Sequence, residues 1–362
     1  MRHRLNAAAA AQSGARRAWR LLTAMASGAL AVAAATPTLA APRACVLQKV
    51  AELDVVAEPV GPVVLGQIDG KPVRFLLDTG SSFSALFTPA AERLGLRGFT
   101  SKVQLYGVGG EGGAQEVTVR NWQLGSLSAA SVNLVLLPSS HTGSIDGILG
   151  SGLLLNHDVE FDLKNGKVRL FMPKDCSGDQ VVYWGQAYSV APIVTPGGYA
   201  GLAVFVPVQV GGLTIKAMMD TGSTRSALET EIARRAGAAF AANSEHETSY
   251  GVGRAGLGLQ AVRIGSFAFG EEAIRNTQLM AGQLFAAETT DRTTGSHFAS
   301  KISDNQPQML LGYDFFRAHR VYIAMSQQKV YASYEGGSVF DTSAAPAAAA
   351  THGGAPSAAS AH

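Results

Sequence analysis

Two short runs, Asp78-Thr79-Gly80 and Asp220-Thr221-Gly222, hold the residue types best suited to chemistry. Each ends an apolar stretch, and each is followed by two hydroxyl residues, Ser81-Ser82 and Ser223-Thr224. Average usage yields Asp-[Ser/Thr]-Gly by chance about 0.1 times in a chain of this size. The bland alternative is an Asp-Gly type turn used twice because the gene duplicated. Against it, both acids follow apolar strands, where a carboxylate needs a compensating partner. Related halves of one chain commonly pair about a two-fold axis. Equivalent acids at that axis meet, and carboxyls about 3 Å apart share one proton because both cannot ionise. Such a pair is a base and an acid at once, able to activate water and protonate a carbonyl oxygen. The sequence does not say which Asp carries the proton. Gly80 and Gly222 allow tight turns and close approach. Thr79 and Thr221 offer hydroxyls for bonds across the axis. Ser81 and Ser223 are expected to donate to the outer carboxylate oxygens, which would lower the pair's pKa and give an acidic optimum.

The halves are visible as an internal repeat. Residues 66–95 align with 208–237 at a constant shift of 142, with thirteen of thirty positions identical. The match resumes at Tyr106-Gly107-Val108-Gly109 against Tyr250-Gly251-Val252-Gly253. It ends with Ile148-Leu149-Gly150 against Leu310-Leu311-Gly312, and His157 against His319. In each unit two strand-like runs flank a turn signal, Asp69-Gly70 or Gly211-Gly212, and the second strand runs into the Asp. A short helix follows, with Thr88 as its cap and Pro89 in its first turn in the first copy, and with Thr230 at its start in the second. Gly95 and Gly237 close these helices. The rest reads as short strands and glycine turns, an all-β unit with small helices.

The reading divides the chain into a signal peptide at 1–40, an N-terminal segment at 41–58, a first lobe at 59–173, a connection at 174–203, a second lobe at 204–335 and a tail at 336–362. Residues 1–20 hold five Arg and no acid, an apolar run covers 21–35, and small residues reach Ala40 and Ala41. That pattern is a cleavable export signal, with a membrane anchor as the alternative. The product is expected in the periplasm or secreted, without a membrane span once the signal is gone. Removing the leader changes the formal charge from +2 to −3, which takes away the electrostatic case for a nucleic-acid partner. Of the two cysteines, Cys45 and Cys176, a bonded pair suits an oxidising compartment, with two buried free thiols as the alternative. The tail and a polar insertion at 286–306 carry no core pattern.

Other motifs lead elsewhere. Residues 107–112 and 251–256 spell G-x-G-x-x-G, but strand alternation continues where a dinucleotide site needs a helix. The eight His show no metal-ligand spacing, and there is no G-x-S-x-G elbow. No cofactor and no metal is expected.

On these residues the chain resembles the aspartic proteases, as a single-chain tandem of retropepsin-like units of the bacterial exported type. The resemblance covers about residues 59–171 and 204–334. It implies two closed β lobes related by a pseudo-two-fold axis, with Asp78 and Asp220 catalytic. It further implies that Ile148-Leu149-Gly150 and Leu310-Leu311-Gly312 thread beside the catalytic turns, and that Tyr106-Gly107 and Tyr250-Gly251 belong to flaps over substrate. Gly312-Tyr313-Asp314 fits the family pattern, whereas Gly150-Ser151-Gly152 lacks the acid. The expected activity is aspartic endopeptidase action on a peptide or protein substrate, by a monomer that is internally a pseudo-dimer. A catalytically silent peptide-binding module and an envelope scaffold are the alternatives.

Overall fold

The structure, a computed structural model, describes residues 44–107, 110–138, 144–194, 203–240, 246–249, 257–284 and 306–340. The chain enters through β1 (Val46–Glu58). It then forms β2 (Gly61–Ile68), β3 (Lys71–Asp78), β4 (Ala85–Phe87), helix α1 (Thr88–Leu94), β5 (Phe99–Gly107), β6 (Gly110–Leu124), β7 (Leu127–Leu137) and β8 (Gly147–Gly150). Hydrogen bonding runs β2-β3-β8-β4-β7-β6, and β6 pairs back onto β2 through Ile68 and Trp122, which closes a six-stranded barrel. Helix α2 (Ser151–Leu154) leads to β9 (Asp158–Asp162), β10 (Lys167–Lys174) and β11 (Ser189–Pro192).

The second lobe repeats the plan. It contains β12 (Phe205–Val210), β13 (Leu213–Met219), β14 (Ala227–Glu229), α3 (Thr230–Arg235), β15 (Ala239–Phe240), β16 (His246–Ser249), β17 (Leu257–Phe269), β18 (Glu272–Gly282) and β19 (Met309–Leu311). The order β12-β13-β19-β14-β18-β17 closes where β17 returns to β12. Helix α4 (Tyr313–Ala318), β20 (His319–Ala324) and β21 (Lys329–Tyr334) complete the described chain. Two closed β lobes with short helices are thus the architecture that the duplicated sequence implied. None of these helices is long and apolar enough to cross a membrane.

Local chemistry explains the hairpins. Asp69 and Gly70 have φ of 49° and 74°, and Gly211 and Gly212 of 54° and 81°, the left-handed pairs that two-residue turns demand. Helix α1 differs by one residue from expectation. Phe87 precedes its first turn, and the Thr88 hydroxyl donates to Leu137 O at 2.8 Å instead of capping. Gly95 closes it with φ of 75°.

The lobes share a six-stranded sheet, β11-β21-β20-β9-β10-β1, which the sequence reading did not foresee. Its central pair joins the lobes through Val159 with Ile323 and Phe161 with Val321. The residues read as N-terminal segment and connection supply its edge strands, β1 and β11. The pseudo-symmetry extends to them: the Gly125 turn of the first barrel packs on Glu52 of β1, and the Gly270 turn of the second packs on Val190 of β11. One sheet face buries Val159, Phe161, Val321 and Ile323 in the common core. A fully buried Phe or Val side chain contributes about 1.5–3 kcal/mol. The opposite face holds Glu160 and Asp162, both almost wholly buried, which need compensation. Arg169 and Arg320 supply it, and Arg320 also stacks over the Trp184 ring at 4.7 Å.

Cys45 and Cys176 form a disulfide across 131 residues, with Cα atoms 4.3 Å apart. It ties the start of β1 to the chain just beyond β10. Loop closure of that length stabilises by about 5 kcal/mol in the chain-entropy model. Cys176→Ser is therefore expected to lower the urea midpoint strongly, by up to that amount of free energy, and reduction of the native protein should do the same.

Candidate active site

Strands β3 and β13 deliver the two acids. β8 runs parallel to β3, pairing Leu76 with Ile148, Leu77 with Leu149 and Asp78 with Gly150. β19 runs parallel to β13, pairing Met218 with Leu310 and Met219 with Leu311. Each hydrophobic-hydrophobic-Gly run therefore forms the wall against which its Asp-Thr-Gly turn is laid, and Gly312 follows directly after β19.

The two turns interlock through their threonines. Thr79 N–H donates to Thr221 Oγ1 at 3.1 Å, and Thr221 N–H donates to Thr79 Oγ1 at 3.0 Å. Each hydroxyl then donates across the axis to the strand preceding the other Asp. Thr79 Oγ1 reaches Met219 O and Thr221 Oγ1 reaches Leu77 O, both at 2.8 Å. Both threonines are fully buried, so every polar atom of this lock is removed from water and satisfied by the opposite lobe.

The lock sets the acids face to face. A Cβ on Gly80 would lie 2.8 Å from Asp220 Oδ2, and one on Gly222 would lie 2.8 Å from Asp78 Oδ2. Each glycine thus leaves room for the other lobe's carboxyl, and the two carboxyls lie within hydrogen-bonding reach of each other. Oδ1 of Asp78 accepts the N–H groups of Gly80 and Ser81, each at 3.0 Å. Oδ1 of Asp220 accepts those of Gly222 and Ser223 at 3.0 and 3.1 Å.

Two expectations for the serines need correction. Ser81 and Ser223 approach the carboxylates with their N–H groups, not with their hydroxyls. Ser81 Oγ donates to Phe83 O and Ser223 Oγ donates to Arg225 O, each at 2.9 Å. A hydroxyl has one proton, and the carbonyl two residues on claims it by closing a local turn. The serine N–H groups do act to lower the pair's pKa, but burial outweighs them and the net shift is upward. Burial pushes both acids up, and for Asp220 burial together with the charge of Asp78 raises it to about 8.

Tyr106 and Gly107 end β5, which pairs with β6, but the Tyr106 side chain lies outside the described residues. Tyr250, Gly251 and the insertion at 286–305 also lie outside them. Of the repeated histidines, His319 is committed to other partners. His319 bonds Phe315 O at 2.8 Å and Glu272 at 3.0 Å, and its ring stacks on Phe315. Ser84 and Ser226, identical between the two halves, also belong to the site although no motif singles them out. Ser84 Oγ accepts the Gly150 N–H at 3.0 Å, and Ser226 Oγ accepts the Gly312 N–H at 2.8 Å. Their signal was present: a hydroxyl kept in both copies six residues after the acid.

The raised pair gives a stability signature. Between the ordinary Asp value of 3.8 and about 8 the folded pair holds a proton that the unfolded chain has released. The folded state binds more protons, so this contribution to stability is lost as pH rises through that interval. The double variant Asp78→Asn/Asp220→Asn should gain on the wild type by about 1 kcal/mol per pH unit there, read by denaturant unfolding from pH 4 to 8.

The chain matches the family model described as "Aspartyl protease" twice, over residues 64–153 and 206–315. An aspartic proteinase from Irpex lacteus aligns with 80% of this chain and 97% of its own, at 14% identity and a TM-score of 0.46. None of the curated proteins compared with the chain matches it. The two family matches each contain one Asp-Thr-Gly turn and together span more than half of the sequence, so this chain belongs to the aspartyl protease family.

Proposed function

We propose that the protein is an aspartic endopeptidase in which Asp78 and Asp220 activate one water molecule between them. The observation that carries this reading is the crossed threonine lock, which holds two buried carboxyls together where only a shared proton makes them tolerable. The ionised carboxyl takes a proton from the water as its oxygen adds to the scissile carbonyl carbon. The protonated carboxyl gives its proton to the carbonyl oxygen. On collapse of the tetrahedral intermediate the protonated carboxyl gives its proton to the leaving nitrogen, the C–N bond breaks, and a hydroxyl of the intermediate returns its proton to the other carboxylate, so the pair again holds one proton. Each proton transfer of this kind accelerates by about 10²–10⁴-fold.

The working state is the singly protonated pair. Because burial raises both acids, that state extends to higher pH than the serine argument implied, and activity falls as the shared proton leaves near the upper value of about 8. A substrate strand would enter between the lobes and pair with exposed backbone there. We place the protein outside the cytoplasm, periplasmic or secreted, a reading supported by the Cys45–Cys176 bridge and the leader-like first forty residues.

A diverse peptide library incubated with the protein from pH 3 to 8 tests the reading. Cleavage is expected for the wild type, with loss of at least about 10³-fold in Asp78→Asn and in Asp220→Asn, each alone, and folded protein retained. Near-normal cleavage by either single variant would sink the shared-pair mechanism. Binding without cleavage by the wild type would instead identify the silent module.

A further inference from the structure

The two lobes hold their catalytic turns by different chemistry. In the first lobe Ser151, which opens α2, donates both its N–H and its hydroxyl to Ser81 O, at 2.7 and 2.9 Å. The equivalent residue in the second lobe is Tyr313. Its N–H donates to Ser223 O at 2.7 Å, but Tyr313 has no hydroxyl at the Ser151 position. The next residue compensates. Asp314, one of the few buried acids, replaces the first copy's Gly152 and reaches across to the catalytic turn. Its Oδ2 accepts the Ser226 N–H at 2.8 Å, and its Oδ1 accepts the Ser226 hydroxyl at 2.6 Å and the Phe315 N–H at 2.9 Å. Ser226 Oγ in turn accepts the Gly312 N–H, which fixes the end of β19 against the same turn.

Resting on the peptidase reading above, we propose that Asp314 is a positioning residue for Asp220, acting through Ser226 to hold the second catalytic turn in its working geometry. Three donors converge on one buried carboxylate, and two of them belong to the residue that ends the turn. The Asp220 carboxyl takes its own position from the N–H groups of Gly222 and Ser223, four and three residues before Ser226. Rotation of that segment moves these N–H groups and the carboxyl with them. Of the other charged groups around α4, Arg320 bonds Glu160, Lys164 bonds Glu335 O and Glu272 bonds His319, while Arg225 of the turn acts on Asp314 and favours its charged form. Two ties thus join α4 to this turn, the Tyr313 N–H bond to Ser223 O and the Ser226 bonds to the Asp314 carboxylate, and the second depends on a side chain of α4. The first lobe reaches the same end with the neutral Ser151, so the duplicated halves have diverged in how they support equal acids.

The test uses the full chain, a peptide that the wild type cleaves, and pepstatin titration to count active sites. Asp314→Ala is expected to lower kcat per titrated site by about 10²-fold with little change in KM, because misplacing a reacting group by about 1 Å costs that much. Ser226→Ala, a smaller change that keeps the fold if Asp314→Ala does not, should lose about tenfold in the same direction. Hydrogen exchange supplies a readout independent of turnover. The amides of Gly222 and Ser223, which do not touch Asp314, should lose protection in Asp314→Asn and in Ser226→Ala, while those of Gly80 and Ser81 keep theirs. An unchanged kcat per titrated site, with only less folded protein, would overturn the proposal, and so would unchanged exchange at Gly222 and Ser223. A wild type that neither cleaves peptides nor binds pepstatin refutes the peptidase reading, and the exchange result still decides this one.

Discussion

Two acids buried side by side repel each other, and the molecule is organised around making that pair tolerable. The solution is a lock in which each Asp-Thr-Gly turn is completed by the other lobe. Thr79 and Thr221 exchange N–H to hydroxyl bonds and then donate to Met219 O and Leu77 O, so separating the lobes would orphan several buried polar groups at once. An unsatisfied buried donor or acceptor costs about 1–3 kcal/mol. That penalty keeps the turns together against the charge repulsion. The glycines after the threonines matter for a steric reason: the opposite carboxyl occupies the space that a side chain would need.

The lock alone does not fix the angle between two barrels. The six-stranded sheet does, since β9 of the first half pairs directly with β20 of the second. Its core face is apolar and continuous with both lobes. Its other face is charged yet buried, and Glu160 is satisfied from both halves, by Arg169 of the first and Arg320 of the second. Removing either arginine would leave these buried carboxylates with less compensation than they have, which is more damaging than losing an exposed ion pair. The disulfide fastens the edge strand β1 to this same sheet, beside the point where Val46 pairs with Lys174. Covalent and non-covalent ties thus converge on the element that aligns the acids.

Symmetry in this chain is strict at the pair and relaxed away from it. The threonine bonds, the N–H donors to each Oδ1 and the serine-to-glycine contacts recur in both lobes within a few tenths of an ångström. One step further out the halves part, with Ser151 supporting one turn and Asp314 the other. Geometry at the axis is built from both halves, and each threonine has to meet its counterpart there. Outside it each lobe packs its own helix and can settle on its own solution.

What the sequence determined by itself was local and repeated. Asp-Thr-Gly at the end of an apolar strand, the Asp69-Gly70 and Gly211-Gly212 turns, and the hydrophobic-hydrophobic-Gly runs carry their conformational preferences in adjacent residues, and the duplication displayed each one twice. The α1 boundary shows the limit of that reasoning, because the Thr88 hydroxyl found Leu137 O, 49 residues away, more accessible than its own helix end. The tertiary structure alone decided the partners of β1 and β11, the destination of the Ser81 and Ser223 hydroxyls, and the direction of the acids' pKa shift. Each depends on which distant groups exclude water or offer a closer acceptor, and a linear pattern holds no record of those distances.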